Sequence, residues 1–308
     1  MRVSIIGLGA VGGLLAYMAR RVRPTVVYRS LKYREALECL GGVHVRLPDG
    51  SEKVVEVEHG LAGELAGSSF DAVFISVKAY DTVRAAEEAI RLVRDNGVII
   101  VVQNGVGGLE EVLEMAESSG KRVSVAAGVL TYGVVRVRIG VVEVRGIGEL
   151  VLGYKKGYGD LGALERIAGV LDANIRIVED IEPYRWLKLL VNAAINPLTV
   201  IANEPNRVVL EVDNYWKVAE MVVEEGRRVV ESLGIPLPRD PLEVVREVVE
   251  KTGDNISSML QDIRAGRPTE IDYINGAIVR MGKEKNIETP VNYILTLLVK
   301  GLSELRRI

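Results

Sequence analysis

A single cysteine, Cys39, stands in 308 residues, so neither an intrachain disulfide nor a thiolate metal cluster can form. Histidine is almost as scarce: His44 and His59 are the only two, each in a stretch that reads as a surface strand or loop. Neither a histidine-based triad nor a zinc site is therefore expected. No apolar run reaches the roughly 18 residues of a membrane span. The N-terminus lacks the basic-then-apolar design of a signal peptide. A formal charge of −3 makes no electrostatic case for nucleic acid or an anionic membrane. What is present is apolar: 48% of the residues are hydrophobic, ample for a core. The expectation is a soluble cytoplasmic protein of one large or two ordinary domains.

The first half alternates strand and helix signals. Val3–Ile6 reads as a buried strand, and Gly7-Leu8-Gly9-Ala10-Val11-Gly12 follows at once, with helical composition to Arg20. This is G-x-G-x-x-G between a strand and a helix, the context a dinucleotide fingerprint requires. Gly7 permits the tight turn, Gly9 admits a pyrophosphate to the backbone, and Gly12 lets the helix pack closely. The helix N-terminus offers free N–H groups to the phosphates.

The second strand, Thr25–Tyr28, ends at Arg29, followed by Ser30, Lys32 and Arg34. An NAD site would place Asp or Glu here; a guanidinium instead suits a 2′-phosphate, and no carboxylate is present to repel it. NADPH is therefore preferred, with NADH as the alternative donor. The competing reading is that these cations only solvate a helix start. Further parallel strands are expected at Ala72–Val77, ending at Lys78, and at Val98–Val102, ending at Gln103-Asn104-Gly105, with a crossover helix over Asp81–Leu92. The glycine loop, Arg29, Lys78 and Asn104 then share the carboxyl edge of one sheet, where ligands bind. Residues 43–57 read as a hairpin, Val135–Leu152 as an antiparallel meander with one solvated face, and Leu161–Leu171 and Ile175–Val178 as a closing helix and strand.

From Tyr184 the pattern is helical. The expected helices after the first are Asn214–Leu233, Pro241–Thr252, Asn255–Ala265, Glu270–Met281 and Val291–Leu305. The fold class is thus an α/β Rossmann-type N-terminal domain over residues 1–179 and an all-α C-terminal domain over 180–308. The first of these helices is apolar nearly all round, yet Lys188, Asn192 and Asn196 recur every four residues and make one polar stripe. Either the stripe is satisfied internally or it walls an active site. Pro197 deprives the carbonyl of Ala193 of its helical donor, so the helix should kink or end there. Asp254 and Asn255 are good capping types ahead of Ser258, and this helix start suits an anionic group, although ordinary capping explains the same residues. Glu270 is expected in the first turn of a helix, where the dipole favours its charged form and where it can partner a buried lysine.

Taken in order, G-L-G-A-V-G, S-V-K-A-Y, Q-N-G-V, K-L-L-V-N-A-A-I-N-P-L-T, N-I-S-S-M-L-Q-D and R-P-T-E-I-D-Y-I-N-G resemble the motifs of the ketopantoate reductases (2-dehydropantoate 2-reductases) across almost the full chain. The last three are the most distinctive. The resemblance implies NADPH-dependent reduction of 2-dehydropantoate to (R)-pantoate, on the route to pantothenate and coenzyme A. It implies Lys188 as the catalytic lysine with Glu270 beside it and the cofactor ribose. It further implies Asn192, Asn196, Asn206 and Ser258 as substrate contacts, joined here by Asn255. Asn104 is implied near both ligands, and Gly7, Leu8, Gly9, Ala10, Val11, Gly12, Arg29 and Lys78 at the cofactor. The segment Thr131-Tyr132-Gly133 departs from the family pattern, so no contact is carried onto it. The expected partner is a small-molecule substrate, without nucleic acid or membrane; the resemblance leaves room for a homodimer. A reductase of another branched 2-oxo acid would share every motif, whereas a non-enzymatic NADPH sensor would not need the Lys188–Asn192–Asn196 stripe.

Overall fold

Val3–Ile6 (β1) is buried at all four positions, as a strand covered on both faces must be. The computed structural model describes residues 1–305, which divide into two compact units. The first comprises Met1–Gln103 and Gly108–Ile181; the second comprises Asn104–Gly107 and the chain from Glu182 onward. The division therefore falls two residues beyond the expected 179/180 boundary. It also assigns Asn104–Gly107 to the second unit.

In the first unit β1 is followed by α1 (Ala10–Met18), β2 (Thr25–Tyr28), α2 (Leu31–Leu40), β3 (Val43–Arg46), β4 (Glu52–Val55), β5 (Glu58–Leu61) and β6 (Phe70–Ile75). Next come α3 (Thr82–Leu92), β7 (Val93–Val101), α4 (Gly108–Ser118), β8 (Ser124–Leu130), β9 (Gly133–Arg138), β10 (Val141–Gly146), β11 (Leu150–Gly153), α5 (Leu161–Ala168) and β12 (Ile175–Val178). Eight strands form one sheet in the order β12-β11-β8-β7-β6-β1-β2-β5. All its neighbours run parallel except β8 and β11. Strand β5 was not expected: Glu58-His59-Gly60-Leu61 carries little apolar signal because it is an edge strand, paired only with β2.

The expected 43–57 hairpin forms as β3 and β4, paired Val43 to Val55. The expected meander does not hold together. β9 and β10 pair with each other and join the hairpin in a second sheet, ordered β4-β3-β10-β9, while β11 enters the large sheet. Leu150–Gly153 is buried throughout, without alternation, and so belongs where both faces are covered. The two histidines are half-buried rather than superficial. His44 meets Glu52 at 2.6 Å, which raises the imidazole pKa, and His59 Nδ1 lies 3.0 Å from the Tyr28 hydroxyl.

The second unit is helical: α6 (Glu182–Ala202), α7 (Val208–Glu211), α8 (Asp213–Ser232), α9 (Pro241–Thr252), α10 (Ser258–Arg264), α11 (Asn275–Glu284) and α12 (Pro290–Leu305). Helix α6 is the hub, packed by α7, α8, α9, α10 and α12. Among the described residues no helix is long and apolar enough to cross a membrane.

Helix α6 does not end at Pro197; it runs on to Ala202. The lost donor is replaced from another helix. Asn275 Nδ2 on α11 donates to the Ala193 carbonyl at 3.1 Å, the acceptor that proline leaves vacant. The same nitrogen donates to Asn292 Oδ1 on α12 at 3.0 Å. Asn292 Nδ2 in turn donates to Glu225 Oε2 on α8 at 2.7 Å. Since a carbonyl can only accept, the amide orientations along this buried chain follow from its two ends.

Asn275→Ala leaves the acceptors on Ala193 and Asn292 without this donor and is expected to cost about 2–4 kcal/mol of stability. Urea unfolding checks the value. In a Pro197→Ala background the restored backbone N–H takes over, so a double-mutant cycle should show a smaller cost. Strict additivity would mean that Asn275 does not repair the helix.

Candidate active site

The glycine loop is shaped by contacts that leave no room for side chains, except at one place. Gly7 has φ +99°, and a Cβ there would lie 2.8 Å from Val77 Cγ1. At Gly12 a Cβ would fall 1.8 Å from the Gly7 carbonyl oxygen. Ser76 Oγ, from the end of β6, donates toward the Gly7 carbonyl at 2.9 Å and ties the loop down. Gly9, which precedes α1, has nothing within 4 Å of its Cβ position. The first turn of α1 carries no acidic residue. An open backbone ahead of an acid-free helix start suits a pyrophosphate. Leu8 is buried in the core, so only its backbone is available; Ala10 and Val11 are half-buried. Gly13 is also required, because its Cβ would lie 2.5 Å from Val142 Cγ1 where α1 meets β10.

Arg29 follows β2 directly and is exposed. The expected absence of a carboxylate is overturned: Asp81 lies against it, with Arg29 Nη1 3.2 and 3.0 Å from the two carboxylate oxygens. These residues are 52 positions apart, so no local pattern announces the pair. Arg34 is engaged by Glu64 and the Tyr28 hydroxyl. Lys78 stands half-buried where a short 3₁₀ turn, Ala79–Asp81, begins after β6. The glycine loop, Arg29 and Lys78 thus occupy the carboxyl ends of the adjacent strands β1, β2 and β6.

Asn104 departs from that arrangement, because its segment packs within the second unit. Val106 N donates to the Tyr273 carbonyl at 3.0 Å, and Gly105 (φ +91°) could not carry a Cβ, which would lie 2.4 Å from the same oxygen. This ties the Asn104 loop to the turn that holds Glu270. Glu270 is 5% exposed and precedes a 3₁₀ turn, Ile271–Tyr273, with α11 beginning only at Asn275. The expected dipole of a long helix is therefore not available to it; proximity to Lys188 is.

Lys188, Asn192 and Asn196 lie on successive turns of α6. Lys188 is half-buried, and two influences act on its ammonium. Burial is the larger and lowers the pKa to about 8; the Glu270 carboxylate opposes it. Asn196 is 6% exposed, yet its side-chain amide, like that of Asn192, has no hydrogen-bond partner among the described residues. Neither amide is among the fully buried unpaired atoms, and Asn192 is half-buried, so both keep access to a polar group from outside the helix.

Asn206 is 8% exposed. Its Nδ2 donates to the Thr252 carbonyl and hydroxyl at 3.3 and 3.0 Å, which leaves Oδ1 buried without a partner. The Asn255 carbonyl accepts from Asn206 N at 3.0 Å, so these two expected residues are brought together. Neither Asp254 nor Asn255 caps α10. Ser257 does, its hydroxyl accepting from Leu260 N at 3.1 Å, and Ser258 is the exposed first residue of the helix. Ser257 Oγ also lies 2.6 Å from Thr199 Oγ1, whose other contact is the Asn196 carbonyl at 2.7 Å. Thr199 and Ser257, which link α10 to the polar stripe, were missed. A Ser immediately before an apolar helical run was the available sign for Ser257. Among the described residues no group of three or more His, Cys, Asp and Glu could hold a metal ion.

The two loop glycines should separate experimentally. Gly9→Ala meets open space and should keep the wild-type melting temperature while weakening dinucleotide binding. Gly12→Ala forces the loop apart and should lower both. Calorimetric titration and thermal melts make the comparison; unimpaired binding by Gly9→Ala would remove Gly9 from the phosphate site.

The model described as "Ketopantoate reductase PanE/ApbA" matches residues 3–157, and that of its C-terminal domain matches 180–303. A 2-dehydropantoate 2-reductase from Pyrobaculum aerophilum is 38% identical, covering 98% of both chains. One from Archaeoglobus fulgidus is also 38% identical, over 98% of this chain and 97% of the relative. A crystal structure of a PanE/ApbA family ketopantoate reductase from Ralstonia eutropha JMP134 superposes with a TM-score of 0.86 at 27% identity, covering 100% of both chains. A strand–glycine-loop–helix unit, a lysine–diamide stripe on one helix and full-length similarity thus lead to one conclusion: the chain belongs to the ketopantoate reductase family.

Proposed function

We propose that this protein is a 2-dehydropantoate 2-reductase that uses NADPH to form (R)-pantoate on the route to pantothenate and coenzyme A. One observation carries the reading: Asn192 and Asn196, on the helix face of a lysine whose ammonium is held near pKa 8, have amides that no described protein group satisfies. A helix needing only to be packed has no use for that combination.

The residues of the first unit suit the dinucleotide. The open backbone at Gly9 and the acid-free start of α1 would hold the pyrophosphate, and Arg29 the 2′-phosphate, with Lys78 contributing a second cation nearby. When bound, the reduced nicotinamide supplies the hydride that C2 of the substrate receives. Lys188 supplies the other half of the reduction, a proton to the carbonyl oxygen, and is left as a neutral amine to be recharged from solvent. Negative charge grows on that oxygen as the reaction proceeds, so the positioned ammonium stabilises the transition state more than the ground state. Asn192 and Asn196 orient the substrate without adding charge. Asn206, Asn104, Asn255 and Ser258 complete the polar set proposed for the substrate. Glu270 keeps Lys188 charged near neutrality, against the pull of burial.

The direct test is NADPH and NADH oxidation with 2-dehydropantoate, with 2-oxoisovalerate as the competing substrate. A higher kcat/KM for 2-oxoisovalerate would reassign the substrate. Lys188→Ala is expected to raise the barrier by roughly 2.7–4 kcal/mol, about a hundred- to a thousandfold in kcat, the scale for one oxyanion donor. Wild-type kcat in that variant would take the acid role away from Lys188.

The pH dependence has a definite sign. Lys188 must be protonated to act, so kcat should be level below its pKa of about 8 and fall as pH rises through that value. Glu270→Gln removes the group that raises this pKa and should move the falling limb to lower pH. A limb that stays in place would separate Glu270 from Lys188.

A further inference from the structure

We propose that Asp81 sets the cofactor preference of this enzyme by competing with a 2′-phosphate for Arg29 and by accepting from a 2′-hydroxyl in its place. The proposal rests on the assignment of Arg29 to the 2′ position. It concerns a carboxylate that no motif of the chain marks.

Asp81 is firmly placed. It closes the 3₁₀ turn that begins after Lys78, and its backbone N–H donates to the Lys78 carbonyl at 2.8 Å. The next residue, Thr82, anchors the turn through Oγ1 to the Ala79 carbonyl at 2.6 Å. The Asp81 side chain makes no capping bond to α3. Its two oxygens face guanidiniums instead: Arg29 Nη1 at 3.2 and 3.0 Å, and Arg84 Nη2 at 3.1 Å. Arg29 is the more exposed partner, with 60% of its side chain accessible against 23% for Asp81.

Strands β2 and β6 flank β1, so the pair spans the carboxyl end of the strand that carries the glycine loop. A dinucleotide whose pyrophosphate lies on α1 directs its adenosine ribose toward the end of β2. NAD sites there present a carboxylate to the ribose hydroxyls. This chain has Arg29 at that position and brings the carboxylate in from the turn after β6. For NADPH, a phosphate of charge about −1.5 to −2 must draw Arg29 away from Asp81 and sit beside a like charge. For NADH, the ribose 2′-hydroxyl donates to Asp81 without disturbing the pair. One residue therefore opposes one cofactor and assists the other.

The experiment is calorimetric titration of the full-length protein with NADP⁺, NAD⁺, 2′-AMP and AMP, for wild type, Asp81→Asn and Arg29→Ala. Asparagine is a good residue ahead of a helix, so the Asp81 variant should fold normally, which a thermal melt checks. Asp81→Asn should tighten NADP⁺ and 2′-AMP by roughly two- to fivefold, the range of an exposed ion pair. It should weaken NAD⁺ by a similar factor, with the NADP⁺ effect shrinking as salt is added. An unchanged NADP⁺/NAD⁺ ratio, or weaker NADP⁺ binding, would mean that Asp81 merely orders Arg29, and the proposal fails. Arg29→Ala should lose most of the advantage of 2′-AMP over AMP. If it does not, the assignment of Arg29 is itself wrong and the role of Asp81 falls with it.

Discussion

The second unit depends on a side-chain amide standing in for a backbone one. Pro197 sits inside α6 and cannot donate to Ala193; Asn275 Nδ2 does so from α11 at 3.1 Å. Without a substitute, a buried carbonyl would go unpaired in the middle of the hub helix, a cost of about 1–3 kcal/mol. With it, α6 continues to Ala202 and keeps Lys188, Asn192, Asn196 and Thr199 on one rigid element. The repair is itself supported. Asn275 leans on Asn292, and Asn292 on Glu225, so α8, α11 and α12 all bear on the same point of α6. Thr199 adds a further tie through Ser257 to the start of α10. A site spaced by helix turns needs its helix uninterrupted, and this network supplies that condition.

The two units use charge differently. Burial governs Lys188 and lowers its pKa to about 8, with the Glu270 carboxylate opposing it. Arg29 and Asp81 meet at an exposed edge, where an ion pair contributes little and exchanges readily. The proton-donor role proposed for Lys188 fits the first setting, because such a group's pKa must be held. The phosphate-binding role proposed for Arg29 fits the second, because its partner would have to yield.

Glycine serves close approach in both units. Gly12 lies against the Gly7 carbonyl, Gly13 against Val142 and Gly105 against the Tyr273 carbonyl, and in each case a Cβ would fall within 2.5 Å of its neighbour. Gly9 is the exception. It has φ −88° and open space around it, so neither backbone strain nor packing requires glycine there. A bare backbone there fits the pyrophosphate approach proposed above for this loop.

Local signals determined a good deal by themselves. The fingerprint from Gly7 to Gly12 was legible because strand, turn and helix are contiguous, and each glycine answers to neighbours a few residues away or at the end of the adjacent strand. The stripe on α6 was legible because a four-residue period is a property of one helix. Tertiary structure alone decided the pairings. Asn275 reaches Ala193 across 82 residues and Asp81 reaches Arg29 across 52, and no spacing rule connects either pair. Likewise, Leu150–Gly153 follows a hairpin in sequence but belongs to a different sheet, because burial on both faces outweighs adjacency in the chain. Propensity and periodicity act within an element. Which donor satisfies a proline-orphaned carbonyl, and which carboxylate faces a guanidinium, is settled only when distant elements pack.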